Sequence, residues 1–205
     1  MTSRRIAVIQ AGLSQPSSTR LLAEQLCTAT QDALLELGEE STVTFVDLRE
    51  HAHDLANALL TGFATGALQA ALDEFTRADA VIAVTPVFQA SYSGLFKTFM
   101  DVLPDDALRG TPVLMAATGG TARHSLMLEH AMRPMFAYLK ATTVPTAVFA
   151  ASEDWGVGGA LGRGLDARVT LAATELASLL AGRPVAGPRS DEFADPVPFE
   201  ELLGR

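Results

Sequence analysis

Short apolar bursts alternate with stretches of helical periodicity along the whole chain, and few folds accept that pattern. Ile6-Ala7-Val8-Ile9 and Ala80 to Val84 are fully apolar and too short for helices, so they read as buried strands. Val113 to Ala117 and Val144 to Phe149 read the same way. Thr42-Val43-Thr44-Phe45-Val46-Asp47 alternates polar and apolar residues, as a half-exposed edge strand does. Between these strands, Leu22, Leu26, Ala29, Ala33 and Leu37 mark one helical face that stops at Gly38. Leu55 to Arg77 is mostly helical, loosened by Gly62 and Gly66. Leu95, Phe96, Phe99, Met100 and Leu103 mark a third helix, Leu126 to Leu139 a fourth and Leu165 to Leu180 the last. Strands joined through helices by short links require a parallel sheet covered on both faces.

The expected architecture is therefore α/β, a three-layer sandwich around a five-stranded parallel sheet. Pro145 has no N–H for a ladder, which puts the fifth strand at an edge. With the second strand at the other edge, the order 2-1-3-4-5 follows, which is flavodoxin-like. In such sheets the ligand sits at the carboxyl ends of the strands, where the order reverses. Residues 1–182 read as one domain and residues 183–205 as a Pro-rich acidic tail, either a loose end or an arm that embraces a partner.

Composition narrows the ligand. The 205 residues carry a net charge of −9 with 15 Lys and Arg, and no basic cluster is present to displace counterions from a nucleic acid. No apolar stretch reaches the roughly 18 residues of a membrane span. A single cysteine, Cys27, excludes a disulfide framework within the chain and favours a cytoplasmic address. Cys27 falls on a helical face with Leu22 and Leu26 and reads as core filler. His51 and His53 offer no identifiable third metal ligand, so no metal site is expected.

Three polar loops fall at the carboxyl ends of central strands. The first, Ala11 to Arg20, opens a helix. Helix N-termini present unpaired N–H groups that attract phosphate, and Ser14, Ser17, Ser18, Thr19 and Arg20 add hydroxyls and charge. Four hydroxyls exceed what an N-cap needs, although Ser17 or Ser18 is also suited to capping. The loop has one glycine and no Gly-Lys-Ser/Thr, so it is neither a dinucleotide fingerprint nor a P-loop. The second loop, Thr85 to Gly94, is apolar and aromatic at Pro86, Val87 and Phe88. The third, Thr118-Gly119-Gly120-Thr121, lets backbone N–H groups approach a ring closely. A monophosphate seat beside a flat polar ring matches FMN.

The segment from Ala83 to Lys97, with Thr85-Pro86-Val87-Phe88 and Tyr92-Ser93-Gly94, resembles the TPVY-x-x-x-YSG-x-x-K stretch of NAD(P)H-dependent FMN reductases. Ala117-Thr118-Gly119-Gly120-Thr121, with His124 beyond, is similar to their ATGGT-x-x-H stretch. Phe88 stands where Tyr is usual, and Gln15-Pro16 replaces a common Arg. The similarity covers roughly residues 5 to 155 and is greatest to reductases of alkanesulfonate systems, which partner luciferase-like monooxygenases. The resemblance implies direct hydride transfer from nicotinamide C4 of NADPH or NADH to flavin N5, with reduced FMN handed to a separate monooxygenase. It implies a homodimer or homotetramer, phosphate held by Ser14, Ser18 and Arg20, and a flavin flanked by Pro86, Val87, Phe88 and Gln89, with Thr118 to Thr121 completing the site. Two alternatives stay open: an FMN-bound quinone or azo-dye reductase, and a flavodoxin-like electron carrier.

Pro134 interrupts the fourth helix and removes the partner of the His130 carbonyl, so a kink or π-bulge is expected at His130. In the resembling reductases this helix lies at a subunit interface, which makes His130 a candidate interface residue near a flavin. Trp155 follows the fifth strand; it covers a ligand or an oligomer contact, or caps the core.

Overall fold

A computed structural model describes residues 3–155 and 162–183. The proposed tail beyond residue 183 lies outside the described residues. The element order is β1 (Arg4–Gln10), α1 (Ser18–Glu36), β2 (Ser41–Asp47), α2 (Ala52–Thr61), α3 (Gly66–Thr76), β3 (Ala80–Phe88), β4 (Ser91–Tyr92), α4 (Gly94–Asp101), β5 (Pro112–Gly119), α5 (Arg133–Tyr138), β6 (Thr142–Thr143), β7 (Val148–Ala151) and α6 (Gly162–Ala181). The sheet runs β2-β1-β3-β5-β6. All of its pairings are parallel except the short hairpin β3–β4.

Strand alternation divides the core into two layers. Ile6 and Val8, with Ile82, Val84, Leu114 and Ala116, face α1 and α6 through Leu22, Leu26, Leu34, Val169 and Leu176. Ala7 and Ile9, with Val81, Ala83, Val113 and Met115, face the opposite layer through Leu55, Leu68, Phe75, Phe96, Phe99 and Phe136. Phe75 and Phe99 meet edge to face at 5.0 Å between ring centres, a preferred aromatic geometry. Cys27 is buried on α1, and burial pushes its thiol pKa up, so it is core filler rather than a nucleophile.

The flavodoxin-like three-layer plan stands, with corrections to its parts. The sheet has seven strands rather than five, because the short hairpin strand β4 is added and the expected fifth strand is split. β6 pairs with the start of β5 at Pro112 and Val113, and β7 with its end from Ala116 to Gly119. Pro145 sits in the gap. The Thr146 N–H turns away from the sheet to Glu175 Oε2 at 2.8 Å, and the Thr146 hydroxyl meets Glu175 Oε1 at 2.9 Å. Arg133 reaches the same gap from the other layer and donates to the carbonyls of Val144 and Pro145. The ladder breaks where one donor is missing and the next is taken by a carboxylate.

The helical stretch from Leu55 to Arg77 is two helices bent by 85°. α2 ends on Gly62, which takes a left-handed φ of 84° and donates to the Ala58 carbonyl at 2.8 Å. The expected bulge is present: Leu128–Met132 forms a π-helical turn around His130, and the Arg133 N–H reaches back five residues to Leu128. β3 runs four residues past its expected end at Val84. Gln89 and Ala90 form the hairpin turn to β4, both with positive φ (49° and 64°). Two consecutive positive values match the twist of paired strands, at a cost for a non-glycine residue. Among the described residues no single helix is long and apolar enough to cross a membrane.

Candidate active site

The carboxyl ends of β1, β3, β5 and β7 open on one side, and the loops leaving them form two adjoining grooves. The loop after β1 is built by three side chains. Gln10, buried at the end of the strand, accepts from the Gly12 N–H at 2.8 Å and so folds the chain back on itself. Ser17 caps α1, its hydroxyl accepting from the Arg20 N–H at 3.2 Å. Thr19, buried in the first turn of α1, shares a 2.8 Å hydrogen bond with the Thr118 hydroxyl, which ties this loop to the end of β5. The peptide between Gln15 and Pro16 is cis.

The inner groove, about 450 Å³, brings the three loops together. Leu13, Ser14, Ser18 and Thr19 line one side. Pro86, Val87 and Phe88 line the second, and Thr118, Gly119 and Gly120 the third, with Ser152 and Trp155 closing the end. The outer groove, about 810 Å³, lies beyond Ser14 and Ser18 and carries Ser17, Arg20, Asp47 and Arg49. Nine of the thirteen residues nominated from the sequence thus share one cavity.

The other four have different positions. Ser17 and Arg20 line the outer groove. Arg20 is already engaged, with Glu24 at 2.8 Å, Asp47 at 3.6 Å and its guanidinium over the Phe45 ring at 5.2 Å. The Glu24 hydrogen bond raises its pKa further. Gln89 lies in the hairpin turn and Thr121 is exposed past the end of β5; neither lines these two grooves. His130 is exposed on the π-helical turn. Sequence reasoning missed Gln10, Leu13 and Ser152. A polar residue ending an apolar strand, two positions before a glycine, is the one signal that pointed to Gln10.

The cavity suits a phosphorylated ring. The first turn of α1 carries no acidic residue, and its N-terminal N–H groups lack intrahelical partners. The side chains of Ser14 and Ser18 make no hydrogen bond among the described residues, so their hydroxyls are available. A Cβ on Gly12 would stand 2.1 Å from Ser17 Oγ, and one on Gly119 would stand 2.8 Å from Phe149 Cζ. Gly120 has no neighbour within 4 Å of such a Cβ, so its backbone faces open space. Backbone amides here can come close to a ligand while the walls stay packed behind them.

The profile of the NADPH-dependent FMN reductase family matches residues 4–156. The chain belongs to this family. As an FMN reductase it is an NAD(P)H:FMN oxidoreductase, using FMN with NADPH or NADH. It is 37% identical to an FMN reductase (NADPH) of Pseudomonas aeruginosa, over 87% of this chain and 94% of that one. It is 36% identical to the NADH-dependent FMN reductase SfnE of Pseudomonas putida, over 84% and 90%. The solved structure of an oxidoreductase from Corynebacterium diphtheriae superimposes with a TM-score of 0.86 at 45% identity, over 89% and 99%.

Proposed function

We propose that this FMN reductase takes up FMN as an exchanging partner in the inner groove and passes it, reduced, to a separate flavin-dependent monooxygenase. The observation that carries the reading is the convergence of Ser14, Ser18 and Thr19 with Pro86 to Phe88 and Thr118 to Gly120 on one open cavity. A site that releases its flavin needs such an open mouth, and Phe88 at its rim is 45% exposed.

When bound, FMN supplies the acceptor for the electron pair that NAD(P)H delivers. The chain's own residues bind and orient. The N-terminus of α1, with the Ser14 and Ser18 hydroxyls, stabilises the phosphate dianion. Pro86, Val87 and Phe88 give the ring an apolar wall that excludes water from one side. The backbone of Gly119 and Gly120 offers donors to the polar edge of the ring, where negative charge grows on reduction. The Thr19–Thr118 hydrogen bond keeps phosphate seat and ring wall in register. No side chain is asked to move a proton. We further infer a homo-oligomer whose contact includes the π-helical turn, because His130 on it is exposed and so are Leu126 just before it and Tyr138 at the end of α5, by 63% and 84%.

Steady-state kinetics with free FMN as second substrate test the reading. The expected result is NAD(P)H oxidation that saturates in free FMN and drives a flavin-dependent monooxygenase supplied in trans. NAD(P)H oxidation that depends on a quinone or azo dye, with no turnover of free FMN, would favour the tightly bound alternative.

A further inference from the structure

The cluster that the reading above leaves unused lies at the end of β7. A short 3-10 turn, Ser152–Trp155, follows the strand. Asp154, whose side chain is 10% exposed, holds that turn from two directions. Its Oδ2 accepts from the Ala151 N–H at 2.8 Å, and its Oδ1 accepts from Arg168 Nη2 of α6 at 3.1 Å. The same Nη2 donates to the Phe149 carbonyl at 3.2 Å. Strand end, turn and helix are thus fastened at one point, and the residue that follows the clamp is Trp155.

Trp155 packs against the core layer between the sheet and α6 and is only partly buried. It also lines both grooves, which among the described residues only Ser14 and Ser18 do besides it. A tryptophan that only capped the core would have no reason to share the lining of both cavities with Ser14 and Ser18. An indole offers a rigid flat face and one N–H donor, which suits a surface that is apolar toward a ring and polar toward a phosphorylated chain.

We propose that Trp155 is a flavin-retaining wall over the phosphorylated end of the inner groove, and that Asp154 and Arg168 are positioning residues that set its place. The inference rests on the FMN reductase reading and adds to it the element that governs how long FMN stays. Loosening the clamp lets the indole swing away and speeds release.

Trp155 is the chain's one tryptophan, so its emission reports on this position alone. FMN is titrated into the full-length chain while indole emission and flavin emission are followed together. The expected result is saturable FMN uptake with near-complete quenching of the indole. Trp155→Ala should raise the FMN Kd roughly three- to tenfold, the value of one aromatic contact, with faster release in stopped flow. Trp155→Phe should keep most of the affinity, and circular dichroism melts confirm that each variant folds. Asp154→Ala should weaken FMN by a similar factor when Trp155 is present and add nothing in the Trp155→Ala background. A clamp that merely stabilises the fold would act equally in both. FMN bound with an unquenched indole, an unchanged Kd in Trp155→Ala, or additive effects of the two alanines would overturn the inference and leave the reductase reading standing. Absence of FMN uptake by the wild-type chain would overturn both.

Discussion

Gly12→Ala is the substitution that most directly tests how the phosphate seat is built. The new Cβ would stand 2.1 Å from Ser17 Oγ, 2.9 Å from Gln10 Oε1 and 3.0 Å from Thr19 Cβ. The first separation is impossible, so the Ser17 hydroxyl must leave its cap on α1 or the loop must open. Losing a serine N-cap costs about 1 kcal/mol. Crowding a methyl group against Gln10 and Thr19, both buried, adds about 1–3 kcal/mol. The sum is about 2–4 kcal/mol of stability, together with weaker FMN binding, because α1 then presents its N–H groups from a displaced loop. Urea unfolding and an FMN titration measure the two effects. The decisive comparison is the double variant Gly12→Ala/Ser17→Gly. Glycine is a tolerable N-cap, so removing the hydroxyl relieves the worst contact at a cost of a few tenths of a kcal/mol. The double variant should therefore be about 1 kcal/mol or more stabler than Gly12→Ala alone, a rescue set by the overpacking range. A double variant no stabler than the single, or a Gly12→Ala protein within about 0.5 kcal/mol of wild type, would refute the packing argument.

Three further outcomes are expected. Thr19→Val should cost about 1–3 kcal/mol, because the buried Thr118 hydroxyl loses its partner; Thr19→Val/Thr118→Val should recover part of that loss, as read from urea midpoints. The Glu39 and Glu129 carboxylates are held below the usual carboxylate range by hydrogen bonds from Arg4 and Arg133. Their contribution is complete above the ordinary glutamate pKa of about 4.3 and is lost as pH falls through the lowered values, so the urea midpoint should drop in acid and drop less in Glu39→Gln/Glu129→Gln. His130→Ala should weaken self-association in sedimentation velocity and change the FMN exchange rate; an unaltered oligomer with unaltered exchange would remove the π-helical turn from the interface.

The alternation of apolar bursts and helical faces was enough to give an α/β sandwich with its sheet buried on both sides. Burial of each strand face depends on side-chain period, and period is written in the chain. The π-helical turn at His130 was legible for a similar reason: the missing N–H of Pro134 is a local fact with a local consequence. The three polar loops could be assigned to one end of the sheet because parallel strands all deliver their loops to the same side.

Contacts between distant residues settled the rest. No local rule announces that the Thr146 N–H will turn to Glu175 and split the last strand, since that bond spans 29 positions. Nor does the sequence reveal that Thr19 will meet Thr118 across 99 positions, or that Arg20, on the outer groove, will also pair with Glu24 and Asp47. Gln89 read as part of one wall with Pro86, Val87 and Phe88, which do line the inner groove, but two positive φ values place it in a hairpin turn. Trp155 was ambiguous in the chain for the same reason: the clamp that fixes it comes from α6, and only the folded protein brings Arg168 to Asp154. Spacing along a chain determines which face a residue takes, whereas the partner waiting on that face is chosen by how the layers close.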